Sequence, residues 1–269
     1  MNNFNKIWKK HLQEIEFDTS NLEIKDHLHP EFWKNDQLDR VIRERLLEIA
    51  DDIFTNLDLP TEIVDILLTG SIAGFNWHAL SDIDLHILLD FREIDENFDL
   101  VKDLLDAKRI QWNKTHKILI SGHEVEIYFQ DVSEEHETLS LFSLRDDKWV
   151  KNPIKEDPKF DLQGIKNKAD SIAREIEHAI GLFDDEKYKE SHDYSAKLKE
   201  KVKRLRHSGL ERDGVYSTEN LAFKLLRNNG FLEKLMILKN NSYDKMMSLS
   251  SVNSIKINIR ENWENFLNS

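Results

Sequence analysis

Between Ser81 and Asp90 the chain reads Ser-Asp-Ile-Asp-Leu-His-Ile-Leu-Leu-Asp, so that Asp82, Asp84 and His86 alternate with Ile83, Leu85 and Ile87. A helix, with about 3.6 residues per turn, cannot sort this pattern onto two faces, whereas a strand does so because successive side chains point to opposite sides of a sheet. One face is therefore apolar and belongs to a core, and the other carries two carboxylates and an imidazole. The carboxylate-bearing residues stand about 6 to 7 Å apart at their Cα atoms, close enough to grip one hard cation or to share a pair. Mg²⁺ prefers oxygen ligands and completes its shell with water and substrate phosphates.

An earlier apolar run, Ile63 to Leu68, ends in Thr69-Gly70-Ser71. Glycine lets a backbone turn tightly and approach a ligand. A short helix is expected over the first part of Ile72 to Ser81, with Ser71 at its start presenting free N–H groups and a hydroxyl to an anion. A later run, His123 to Gln130, alternates again, with Glu124, Glu126 and Tyr128 opposite Val125, Ile127 and Phe129. It offers a third carboxylate, Glu126 first and Glu124 second. A lone Gly-Ser or Asp-x-Asp is ordinarily a turn or a solvated strand face; in this order, each beside an apolar run, the parts form a phosphate grip next to a metal grip.

At Gly70, Ser71, Asp82 and Asp84 the sequence resembles the DNA polymerase beta-like nucleotidyltransferase superfamily, with Glu126 where that family more often has Asp. The resemblance implies an α+β fold: a mixed sheet flanked by helices, followed by an all-helical domain that closes the nucleotide cleft. It implies an enzyme in which Asp82, Asp84 and Glu126 are catalytic and hold Mg²⁺ or Mn²⁺, Gly70 and Ser71 hold phosphates, and an NTP is the substrate. By analogy with helical domains that supply a cation to the triphosphate, Lys224 and Arg227 are candidates for binding it. More narrowly, His29-Pro-Glu-Phe-Trp33 and Asn220-Leu-Ala-Phe-Lys224 are similar to stretches of nucleotidyltransferase-like proteins of tailed phages.

The remaining chain frames these parts. A short helix is expected over Asn2 to Gln13. Leu38 to Phe54 has the spacing of one buried helical stripe, and Asn97 to Thr115 reads as a helix with Phe98, Val101, Leu104, Leu105 and Ile110 inward. Lys117 to Ile120 and His123 to Gln130 predict a hairpin across Ser121-Gly122, and a second is expected across Arg145 to Asp147. Pro153 and Pro158 mark a boundary, giving a nucleotidyltransferase domain over 1–155 and a helical domain over 156–269. In the latter, Leu162, Ile165, Ala169, Ile172, Ile176 and Ile180 trace one stripe; Leu198, Val202 and Leu205 trace another that Gly209 is expected to end. Lys197, Lys199, Lys201, Lys203, Arg204 and Arg206 form the densest basic run, either a solvated helix face or one turned to a phosphate-rich ligand. Ser217 or Thr218 is expected to cap a helix closed by Gly230. Phe75 and Trp77 could stack on a base or plug the sheet. His86 could support the carboxylates or simply be packed. His27 and His29 lack a third metal ligand and read as part of a packed loop.

The formal net charge of −13 argues against a partner that is a long duplex, since neutralising phosphates provides most of the affinity for one. A small molecule, a protein side chain or an RNA terminus is the expected acceptor. The absence of cysteine excludes disulfides, thiolate metal sites and cysteine nucleophiles. With no apolar run long enough to span a bilayer and no signal-peptide core at the start, no membrane partner is expected, and the location is the cytoplasm, the host's if the chain is phage-encoded. The alternative function is a catalytically inactive nucleotide-binding or interaction module of the same fold.

Overall fold

The computed structural model describes residues 15–135, 138–155 and 158–248; the helix expected over Asn2 to Gln13 lies outside the described residues. The alternating segment is a strand, and its Ile83, Leu85, Ile87 and Leu89 are fully buried while Asp84, His86 and Leu88 stay half-buried. Around it the chain is α+β. The strands are β1 (Trp33–Lys34), β2 (Gln37–Leu38), β3 (Asp65–Thr69), β4 (Ile83–Leu89), β5 (Leu119–Ile120), β6 (His123–Asp131), β7 (Leu141–Ser143) and β8 (Lys148–Lys151). The helices are α1 (Arg40–Thr55), α2 (Phe91–Ile94), α3 (Phe98–Thr115), α4 (Leu162–Asp184), α5 (Tyr188–Asp213), α6 (Thr218–Asn228) and α7 (Phe231–Met247). β1 and β2 pair as a small ribbon; the others form one mixed sheet in the order β5-β6-β4-β3-β7-β8, with β4 and β6 parallel and the other pairs antiparallel.

Parallel neighbours need a crossover, and α2 and α3 supply it between β4 and β6. Asp90 and Asn97 cap these helices by accepting from the N–H groups of Arg92 and Leu100. Val101 and Leu105 bury against the sheet, but Leu104 and Ile110, expected inward, are 45% and 44% exposed. Ile110 stands nine residues past Val101, which at about 100° per residue is half a turn around the axis. At Ile127 the outer edge of β6 is closed by a side chain: the Asn113 amide donates to the Ile127 carbonyl and accepts from its N–H, both at 3.1 Å. Asn113 thus stands in for a strand that β5 is too short to provide. On α1, Ile42, Leu46, Ile49, Ala50 and Ile53 are buried and join the same core as β4 and β6.

The link from β3 to β4 departs from expectation. No helix follows Ser71; residues 70–73 make one turn, closed by Gly74 N–H donating to the Ser71 carbonyl at 3.0 Å. The Ile72 carbonyl, which a helix would need, instead accepts from Trp33 Nε1 at 2.8 Å, and Ile72 and Ala73 are fully buried.

A second core lies among α4 to α7, and Phe17 and Leu22 pack into it. Helix α5 runs through Gly209 to Asp213 rather than ending at the glycine. The glycine is there for contact: a Cβ on Gly209 would sit 2.6 Å from both Glu219 Cβ and Ser217 Oγ. Ser217 caps α6 by accepting from Asn220 N–H, and Glu219 joins three helices by accepting from Lys168 Nζ at 2.6 Å and Arg212 at 2.8 Å. Among the described residues no helix is long and apolar enough to cross a membrane.

Gly209→Ala is expected to destabilise the protein despite a gain of about 1 kcal/mol in helix propensity. Overpacking costs about 1 to 3 kcal/mol, and the obstructing atoms are held close to the α6 backbone. Urea unfolding measures it; wild-type stability would show that α5 and α6 are not in this contact. Asn113→Ala, which leaves the Ile127 N–H and carbonyl unpaired, is expected to lower stability by about 1 to 3 kcal/mol in the same assay.

Candidate active site

Parity along β4 and β6 brings the carboxylates together. The parallel register sets Asp84 beside Glu126 and His86 beside Tyr128, whereas Glu124 pairs outward with Leu119 of β5. Asp82 lies just before β4, half-buried. On the other side of β4, Thr69 pairs with Asp84, and the turn that follows folds over it. Gly70 has φ +75°, and a Cβ there would fall 1.8 Å from Asp84 Oδ2. Glycine is thus required at position 70 both by conformation and by the carboxylate it covers.

These groups are electrostatically strained. Burial, then the nearby Glu126 and Asp82, push the Asp84 carboxyl up to about 7, and burial and Glu126 raise that of Asp82. The Tyr128 hydroxyl donates to Glu126 Oε2 at 2.7 Å, and burial together with that bond raises its pKa. Oxygen donors that repel one another suit a hard divalent cation, whose charge relieves the repulsion. Among the described residues no three His, Asp or Glu side chains enclose an ion by themselves, so water and phosphate oxygens would have to complete the shell.

Facing Asp84 is a cluster of the opposite sign. A cavity of about 290 Å³ has Gly70, Ser71 and Asp84 on its sheet side and Arg206, Lys224 and Arg227 on its helical side. None of the three cations makes a salt bridge among the described residues. Burial, then Arg227 and Arg206, press the Lys224 ammonium down to about 8. Arg206 lies over the ring of Phe223, 4.4 Å from its centroid. All six residues of the basic run on α5, Lys197, Lys199, Lys201, Lys203, Arg204 and Arg206, are solvent-exposed, and of them Arg206 alone lines the cavity. It follows Leu198 and Val202 at spacings of four, which places it on the same side of the helix.

The expected site residues thus divide. Gly70, Ser71, Asp84, Lys224 and Arg227 share the cavity, while Asp82 and Glu126 flank Asp84 without lining it. The Ser71 hydroxyl donates to Ser81 Oγ at 2.7 Å and starts no helix. Two neighbours escaped the sequence reading. His78 lines the cavity; burial and then Arg227 and Lys224 hold it neutral, at about 4. Its Nδ1 accepts from Leu80 N–H, which leaves the proton on Nε2. Asn21 lines the cavity too, and nothing in its sequence neighbourhood marks it.

Other candidates resolve as structural. His86 bonds to Gln130 at 2.8 Å and stacks on Tyr128. Trp77 donates to the His27 carbonyl and, with Phe75, packs against the core. His29 is buried, with its Nε2 3.1 Å from that of His123. A second cavity, about 360 Å³, adjoins the first across Tyr128 and Thr138 and is lined by His86, Lys102 and Arg109.

The raised Asp84 pKa predicts a stability change of known sign. The penalty on its ionised form is absent below the ordinary 3.8, grows as pH rises, and is complete above about 7. In EDTA, Asp84→Asn is therefore expected to stabilise the protein at about pH 8 by up to about 4 kcal/mol, and by little at about pH 4. Thermal melts across this range measure it, and a destabilised variant at high pH would contradict the strain.

Comparison of the chain with family models, with curated proteins and with solved structures finds no match.

Proposed function

We propose that the chain is a metal-dependent nucleotidyltransferase that moves a nucleoside monophosphate from an NTP to an acceptor hydroxyl and releases pyrophosphate. The observation that carries this reading is the cavity in which Asp84, flanked by Asp82 and Glu126, faces Arg206, Lys224 and Arg227, three cations with no salt bridge among the described residues. A polyphosphate suits such a gap, its oxygens meeting cations on one side and carboxylate-held metal on the other. Asp82, Asp84 and Glu126 would hold Mg²⁺ or Mn²⁺, which stabilises the charge on the attacking and leaving oxygens of an in-line displacement.

The protein's own groups account for the rest. Lys224, Arg227 and Arg206 bind the triphosphate and neutralise charge that builds on the departing pyrophosphate. His78, neutral and carrying its proton on Nε2, adds an uncharged donor. The acceptor oxygen bonds to the α-phosphorus as the bond to the bridging oxygen breaks, and its proton passes to Glu126. The acceptor approaches along Tyr128 from the adjoining cavity; a small molecule, a protein side chain or an RNA terminus has the required hydroxyl.

One observation favours a nucleotide-binding module without transfer: Glu126 already accepts the Tyr128 hydroxyl. Pyrophosphate release from each NTP with Mg²⁺ or Mn²⁺, with label transfer to a mixed RNA and protein extract, decides between them. Asp82→Ala and Asp84→Ala are expected to lose about a hundredfold or more in rate, and Arg227→Ala to weaken NTP binding. A fully active Asp84→Ala protein overturns the mechanism, and tight NTP binding with no release in the wild type selects the module.

A further inference from the structure

Asn21 sits in a single helical turn, Ser20–Leu22, that the chain lays against the helical core. The turn is fixed on both sides. Asp18 N–H donates to Asn229 Oδ1 at 2.9 Å, Asn229 Nδ2 donates back to the Asp18 carbonyl at 3.0 Å, and Phe17 packs on Phe231 with ring centroids 5.7 Å apart. Leu22 is buried beside them. So held, Asn21 is only 6% exposed, lines the cavity that contains Asp84 and Lys224, and leaves both Oδ1 and Nδ2 without a hydrogen-bond partner among the described residues.

Buried amides are almost always paired. An apolar residue of the same size would fill this place without leaving two polar atoms unpaired, and the segment has no freedom to turn the amide out to water. We infer that Asn21 reads the hydrogen-bonding edge of the nucleobase. An asparagine presents an acceptor and a donor side by side, which is the pattern that pairs bidentately with adjacent groups on a base edge, as in the pairing of Asn with adenine. Phe223, with Arg206 over its ring, gives the same cavity an aromatic wall. Lys224 and Arg227 take the phosphates and Asn21 the base, so one cavity selects a nucleotide at both ends. The inference rests on the nucleotide reading above.

The test is calorimetric titration of each of the four NTPs and of inorganic tripolyphosphate, with Mg²⁺, into wild type, Asn21→Leu and Asn21→Ala. The wild type is expected to prefer one base by about tenfold or more. Both variants are expected to lose that preference and to keep wild-type affinity for tripolyphosphate, and Asn21→Leu to melt no lower than the wild type. If tripolyphosphate binds but the four NTPs bind the wild type alike, or the preference survives in either folded variant, the base-reading role is overturned and the phosphate site stands. If neither NTP nor tripolyphosphate binds the wild type, the nucleotide reading itself falls.

Discussion

Side-chain parity in the β4–β6 pair is the constraint on which the rest depends. Ile83, Leu85 and Ile87 lie beside Val125, Ile127 and Phe129 in register, and all six are buried in one core. A slip of one residue would carry Asp84 and Glu126 into that core, at the large cost of burying charges without partners. The apolar face therefore fixes the register. The same register forces Asp84 and Glu126 side by side on the other face, although like charges on neighbouring strands repel. The electrostatic strain at the carboxylates is thus a consequence of the most stabilising packing in the sheet, and it cannot relax without losing that packing.

The helical layer carries strain of the opposite sign by a similar route. Leu221, Ala222, Leu225 and Leu226 bury one face of α6, the Ser217 cap fixes where the helix begins, and Gly209 lets α5 pass close to it. Lys224 and Arg227 then project three residues apart from the remaining face, next to Arg206 from α5. Burial and then their mutual repulsion lower the Lys224 pKa, as burial and then the neighbouring carboxylates raise the Asp84 pKa. Both clusters are disfavoured within themselves and attracted to each other, yet no salt bridge joins them among the described residues. Under the proposed function, a bridging group of several negative charges with metal beside it would occupy this gap.

What the sequence disclosed follows from the range of the forces involved. Strand parity, helix stripes and the Ser121-Gly122 turn are local, so β4, β6, α1 and the hairpin could be read from residue spacing. The covering of Asp84 by Gly70 was legible only as a glycine at a turn; its 1.8 Å clash is a tertiary fact. The absent helix after Ser71 could not be read, because the Trp33 indole that takes the Ile72 carbonyl comes from a ribbon 39 residues away. Gly209 looked like a helix end because glycine is common there; that it is a contact residue depends on α6. Arg206 had a usable signal in its spacing from Leu198 and Val202. Asn21 had none, since its role depends on a turn fastened to Asn229 at the far end of α6.

Charge placement also explains how so acidic a chain could serve a polyanion. At a net charge of −13 the long-range field repels nucleic acid, and a duplex tracking the surface would meet more carboxylates than cations. Within the cavity the balance is local: the three cations converge on one recess, and fields in such a recess are focused by its low-dielectric walls. A nucleotide small enough to enter experiences those cations at short range, while the acidic exterior acts over distances at which salt screens it, about 8 to 10 Å at physiological ionic strength. Size and charge then select together. On the proposed reading the arrangement would admit a compact polyphosphate and disfavour a polymer, which would tie the overall acidity of the sequence to the cationic side of the cavity that α5 and α6 build.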